Sequence, residues 1–111
     1  MEVVPMKRVR PVRLDPVFQA SRYTCIYCGA DLLADVGVFL CKVRDHFVPA
    51  SAGGPDAAVN RVPSCGPCDR LKAGRVFGSV DEARAFLVQA RRTWRLWVAR
   101  LRQVVPAAAP R

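Results

Sequence analysis

Two Cys-x-x-Cys pairs, Cys25/Cys28 and Cys65/Cys68, constrain this chain more than any other feature. Each such turn presents two sulfurs to one point, and four thiolates are the ligand set of closed, tetrahedral zinc sites. The interval between the pairs, residues 29–64, is longer than a common zinc ribbon allows, so it must be a structured unit whose two ends the metal ties together. Four thiolates also fill the ion's shell, which makes this zinc structural and not the catalyst. Redox pairs or structural free thiols are the competing reading, and two matched pairs in one chain weigh against it. Cys41 belongs to neither pair and reads as a small buried strand residue.

A chain of 111 residues holds one domain with a modest core, which is where a structural metal contributes most. The expected class is α+β: a small zinc-stabilised core followed by a long amphipathic helix. Residues 1–14 are basic, punctuated by proline and without periodicity, and read as a flexible arm. Residues 15–79 form the expected domain. Within it, Asp15-Pro16 is a cap followed by a first-turn proline and opens a short helical turn. The apolar run Val36 to Val43 reads as a strand ending at Asp45-His46. Adjacent strand residues point to opposite faces, so the strand must break or bulge there if both are to reach one site. Pro49 to Asn60 is a glycine-rich loop, Arg61 to Ser64 a short antiparallel return strand, and Pro67 to Gly74 a helix.

Ser79 and Glu82 form a capping box that opens the longest helix, residues 80–105. Ala83, Phe86, Leu87, Ala90, Trp94, Trp97, Val98 and Leu101 recur at intervals of three and four and make one apolar stripe, expected to pack on the domain. Arg84, Arg91, Arg95 and Arg102 line a separate stripe, and residues 106–111 read as a disordered tail. A homodimer through this helix and a monomer are both compatible with the pattern.

The net charge of +9 is uneven: residues 1–24 carry +3, residues 25–79 +1 and residues 80–111 +5. Cationic flanks around a near-neutral middle suit a polyanion held by the ends, and DNA, double-stranded first, is the expected partner. No run of 18 apolar residues exists, and Met1 to Pro16 interleaves bases with prolines where a signal peptide needs an apolar block. The expectation is therefore a soluble, cytoplasmic protein that does not engage membranes.

His46, the only histidine, follows Asp45 directly. Hydrolysing a phosphodiester takes a base to remove a proton from water and an electrophile to stabilise charge on phosphate and leaving oxygen. His46 is the candidate base, and Asp45 and Asp69 are hard oxygen donors suited to Mg²⁺ or Mn²⁺. Asp69 follows Cys68 directly, beside an end that zinc would gather. Convergence of Asp45, His46 and Asp69 on one ion favours an enzyme, and divergence favours a binder. Arg44, Arg61, Arg70, Lys72 and Arg75 are candidates for holding neighbouring phosphates, against the alternative of an ordinary solvated face.

The pattern C-x-Y-C-G, then D-H-x-x-P-x-S-x-G-G, then N-R-V-P-x-C-x-x-C-D-x-x-K resembles the HNH endonucleases with a zinc-bound ββα-metal core, over Cys25 to about Arg75. The resemblance implies that His46 is the general base, that Asp45 is the metal-binding acid beside it, and that Asn60 helps hold the base in orientation. It places Asp69 where the family usually carries asparagine or histidine as second metal ligand, a departure that keeps the oxygen donor and adds a charge. The implied activity is metal-dependent DNA cleavage leaving 5′ phosphate and 3′ hydroxyl ends. Two other readings follow from cysteines and charge alone: a non-catalytic, zinc-dependent nucleic-acid-binding module, and a zinc-stabilised protein interaction module using the final helix.

Overall fold

In the computed structural model, which describes residues 12–109, the chain is a small α+β protein built around one two-stranded antiparallel sheet. Helix α1 (Pro16–Ala20) is capped by Asp15, whose Oδ1 accepts from the Val17 amide at 2.9 Å. The cysteine turn that follows closes through a Gly29 N–H donated to the Cys25 carbonyl at 3.0 Å, with Gly29 at φ 75°, a conformation glycine adopts without penalty. Next come α2 (Val36–Cys41), β1 (Val43–His46), a loop with two short 3-10 turns, β2 (Arg61–Ser64), α3 (Gly66–Lys72) and α4 (Val80–Val104). Of the expected flexible arm, residues 1–11 lie outside the described residues, as do 110 and 111 of the expected tail.

Residues 36–41 are helical, not the strand expected from their apolar run. Asp35 caps the helix through Oδ1, which accepts from Val38 N at 2.8 Å. The deciding factor lies elsewhere in the chain. Strand β2 pairs from His46↔Arg61 to Val43↔Ser64, and there Cys65 turns to cap α3. No ladder partner is left for residues before Val43, and a helix satisfies their backbone groups internally. Cys41 is accordingly an exposed helical residue and not a buried strand one.

The register Asp45↔Val62 and His46↔Arg61 is continuous, so the break or bulge expected at this pair is not present. The loop 48–60 folds back tightly: a Cβ at Gly54 would stand 1.7 Å from the Val48 carbonyl oxygen, so only glycine fits. Helix α3 ends at Ala73, whose φ of 50° and ψ of −132° place an unusual conformation on alanine one residue before the glycine expected to stop the helix.

The buried core is Phe18, Cys25, Tyr27, Leu32, Cys65, Cys68, Ala83 and Leu87. Three of these are cysteines of the two pairs, so the cluster is itself the centre of the core. Helix α4 begins as expected, with Ser79 Oγ accepting from Glu82 N at 3.1 Å, although Glu82 returns its bond to Gly78 N at 3.0 Å and not to Ser79. Its expected packing along the whole apolar stripe holds only through Ala90. Every described residue from Arg92 onward is exposed, including Trp94 at 53% and Trp97 at 51%. The body is too small to extend beneath the rest of a helix of 25 residues.

Candidate functional site

The Sγ atoms of Cys25, Cys28, Cys65 and Cys68 all lie within 4.8 Å of one another. Zn–S bonds of about 2.3 Å put neighbouring sulfurs of a tetrahedron about 3.8 Å apart. The Cys28 and Cys65 sulfurs are 3.7 Å apart, so the four residues fit a metal such as zinc. Two structural devices present the second pair: Cys65 caps α3, its sulfur accepting from Cys68 N at 3.4 Å, and Pro67 sits in the first turn. Within the cluster, hydrogen bonds from Cys65 and Cys68 hold the Cys25 thiol far below the usual thiol range. The same bonds push Cys65 up to about 11 and Cys68 higher still. A dication would bind all four sulfurs as thiolates and displace the protons over which they otherwise compete. Arg91, from α4, places Nη1 3.8 Å from the Cys65 sulfur and 3.7 Å from that of Cys68, adding an outer positive charge to the cluster.

Strand β1 carries Asp45 inward, 8% exposed, where three side chains from two other elements meet it. Tyr27, from the first cysteine turn, donates its hydroxyl to Asp45 Oδ2 at 2.6 Å. Lys72, from the end of α3, places Nζ 3.2 Å from the same oxygen and donates to the His46 carbonyl at 3.3 Å. Burial, then the neighbouring Asp45 carboxylate, raise the Tyr27 phenol well above its ordinary range. Asp69, one turn before Lys72 on α3, faces Asp45. Burial first and the Asp45 charge second raise its carboxyl above the usual range, with Lys72 opposing. The fold gathers Cys65 and Cys68 against Cys25 and Cys28, and the same elements bring Tyr27, Asp45, Asp69 and Lys72 together.

His46 points away from this group. Its Nε2 lies 3.2 Å from Asp56 Oδ1, an oxygen that Arg61 also binds through Nη2 and, at 3.1 Å, through Nε. Asp56 is held below the usual carboxylate range by Arg61 first and His46 second. Among the described residues, the four cysteines are the group of three or more ligating side chains that gathers at one point, so His46 does not join Asp45 and Asp69 at a single ion. Asn60 is buried and does not touch the imidazole. Its side chain accepts from Val48 N at 2.8 Å and donates to the Val48 and Pro55 carbonyls, each at 2.9 Å, pinning the loop that follows His46.

The five candidate phosphate contacts divide. Lys72 is fully buried against Asp45 and cannot reach a backbone phosphate, a correction that follows from α3 turning its last residue inward. Arg44 pairs with Asp15 at 3.1 Å and Arg61 with Asp56. Arg75 donates to the Leu71 carbonyl at 3.1 Å and stacks 4.6 Å from the Phe86 ring centroid. Arg70 is exposed and lines, with Asp69, Pro67 and Trp94, an open groove of about 1000 Å³. No site role follows from the sequence for Tyr27, Asp56 or Arg91, although Tyr27 stands in the C-x-Y-C-G pattern and Arg91 in the arginine stripe. Only Tyr27 carries a signal, a phenol placed between the two cysteines of one Cys-x-x-Cys pair. No helix among the described residues is long and apolar enough to cross a membrane. Comparison with family models, curated proteins and solved structures returns no match.

Proposed function

We propose that this chain is a metal-dependent endonuclease of the HNH type, hydrolysing DNA phosphodiester bonds. The observation that carries the reading is the meeting of two acids far apart in sequence, Asp69 on α3, which lines an open groove, and the buried Asp45 on β1, which directly precedes the only histidine. Two carboxylates completed by water and phosphate oxygens suit Mg²⁺ or Mn²⁺, which seldom take an all-protein cage. When bound there, such an ion supplies Lewis-acid stabilisation to the phosphate and the departing 3′ oxygen.

The remaining steps belong to the chain. Neutral His46 removes a proton from water, which attacks phosphorus and leaves 5′ phosphate and 3′ hydroxyl ends. The divergence of Asp45 and His46 across the strand counts against this reading, which requires acid and base to approach one phosphate from different sides. Asp56 occupies Nε2 of His46, which leaves Nδ1 for the water. Asn60 acts on His46 only through the backbone it pins. The four-cysteine zinc site holds β1 and α3 in register and takes no part in the chemistry.

A specific observation favours the non-catalytic alternative, a zinc-dependent nucleic-acid-binding module: Lys72 already neutralises Asp45, and His46 stands apart from both acids. Plasmid nicking in Mg²⁺ or Mn²⁺ separates the two. Cleavage abolished by His46→Ala with folding intact supports the nuclease. Salt-sensitive DNA binding with no cleavage in either metal sinks it in favour of the binding module, and equal cleavage by His46→Ala removes the histidine from the chemistry.

A further inference from the structure

Helix α4 leaves the body after Ala90, and every residue of the half from Arg92 to Val104 is exposed, Trp94, Trp97 and Leu101 only in part, while that half carries an apolar face. An amphipathic helix standing free in water presents about the most costly surface a small protein can keep, so an occupant is expected. Charge selects among the candidates. From Ala83 to Ala109 the chain has six arginines and no acid, so a second copy of the arm would bring like charges together and offer no anion. A polyanion answers the arginines, and the indoles of Trp94 and Trp97 add flat apolar faces.

Duplex DNA stacks its bases on one another, so it offers arginines phosphates and base edges but offers an indole no free base face. A single strand offers both phosphates and free base faces, the two chemistries this surface displays. Position agrees: Trp94 lines the same groove as Asp69 and Arg70, and it borders Arg95 and Val98 along the helix. Arg91 is excluded as a contact because it is held by the Cys65 and Cys68 sulfurs.

We infer that the free half of α4 and the groove beneath it bind unpaired nucleotides, with Trp94 stacking on a base and Arg70 and Arg95 holding the flanking phosphates. This rests on nucleic acid as the substrate class proposed above, and not on the hydrolytic step. A strand drawn through the groove would pass from the arm to Asp69.

Both tryptophans of the chain lie on this arm, so intrinsic fluorescence reports the surface directly. The zinc-loaded full chain, without Mg²⁺ or Mn²⁺, is titrated with an oligothymidylate of about 16 nucleotides. Saturable quenching that weakens steeply with salt is expected, more from the single strand than from a duplex of equal length. Trp94→Leu keeps the apolar stripe but not the ring, and should weaken binding about tenfold with unchanged circular dichroism. Trp97→Phe should still show quenching from Trp94.

Binding without quenching, equal affinity for Trp94→Leu, or a duplex that quenches as strongly would overturn the inference. So would a concentration-dependent dimer whose indole emission shifts without oligonucleotide, or a response to anionic vesicles alone. His46→Ala run in parallel separates the two proposals. Quenching with no cleavage in metal sinks the hydrolytic reading only, and cleavage without quenching sinks this one only.

Discussion

Replacing Lys72 by methionine tests whether the buried ammonium holds the Asp45 group together. The two charges are 3.2 Å apart with Lys72 wholly buried and the Asp45 side chain 10% exposed. At an effective dielectric constant of about 20, that distance corresponds to roughly 5 kcal/mol of attraction. Desolvating the two ions consumes most of it, so the intact pair is near neutral in net stability. Lys72→Met removes the attraction and leaves the desolvated carboxylate with the Tyr27 hydroxyl and, opposite it, Asp69. The expected loss is about 3–5 kcal/mol. Against a total stability on the order of 5–15 kcal/mol this is a large share. It should lower Tm by about 12 °C or more at the roughly 4–8 °C per kcal/mol of a domain this size.

The assay is urea unfolding of the zinc-loaded protein followed by circular dichroism, in a cycle with Asp45→Asn. Asp45→Asn strands the ammonium, and the double variant strands neither charge. The double variant should therefore lose at least about 2 kcal/mol less than the sum of the singles. A Lys72→Met cost under about 1 kcal/mol, or additivity within about 0.5 kcal/mol, would refute the coupling.

Three further outcomes are expected. Elemental analysis should find one zinc per chain, and chelation or Cys65→Ser should abolish cooperative unfolding, because three of the eight core residues are cysteines of the cluster; a metal-free protein with the same melt contradicts this. Asn60→Ala removes three hydrogen bonds to Val48 and Pro55 and should cost about 2–4 kcal/mol in the same urea assay, with unchanged stability as the contrary result. Ala73→Gly relieves a φ of 50° and ψ of −132° and should stabilise by about 1 kcal/mol, the relieved strain outweighing the added chain entropy; a lower Tm would show that the conformation carries no strain.

Signals that act over a few residues were legible in the sequence. The cysteine spacing announced one four-sulfur cluster, and the caps at Asp15 and Ser79 opened their helices where expected. The return strand Arg61 to Ser64 also stands where its residues indicated. Each of these rests on chemistry contained in one short window, a side-chain oxygen reaching an amide two or three residues on, or a turn presenting two thiols.

Tertiary structure alone decided the rest, because it depended on partners distant along the chain. Residues 36–41 have the composition of a strand, and they became helical because β2 ends at Ser64 and offers no further ladder. Lys72 reads as a surface base, and it is buried because the Asp45 carboxylate and the His46 carbonyl arrive on β1 to receive it. The α4 periodicity marks an apolar stripe but cannot say how far the body reaches beneath it, and here the body ends at Ala90. Hydrogen bonds within a turn are written by neighbours in sequence, whereas pairing and burial are set by what else folds into the same space.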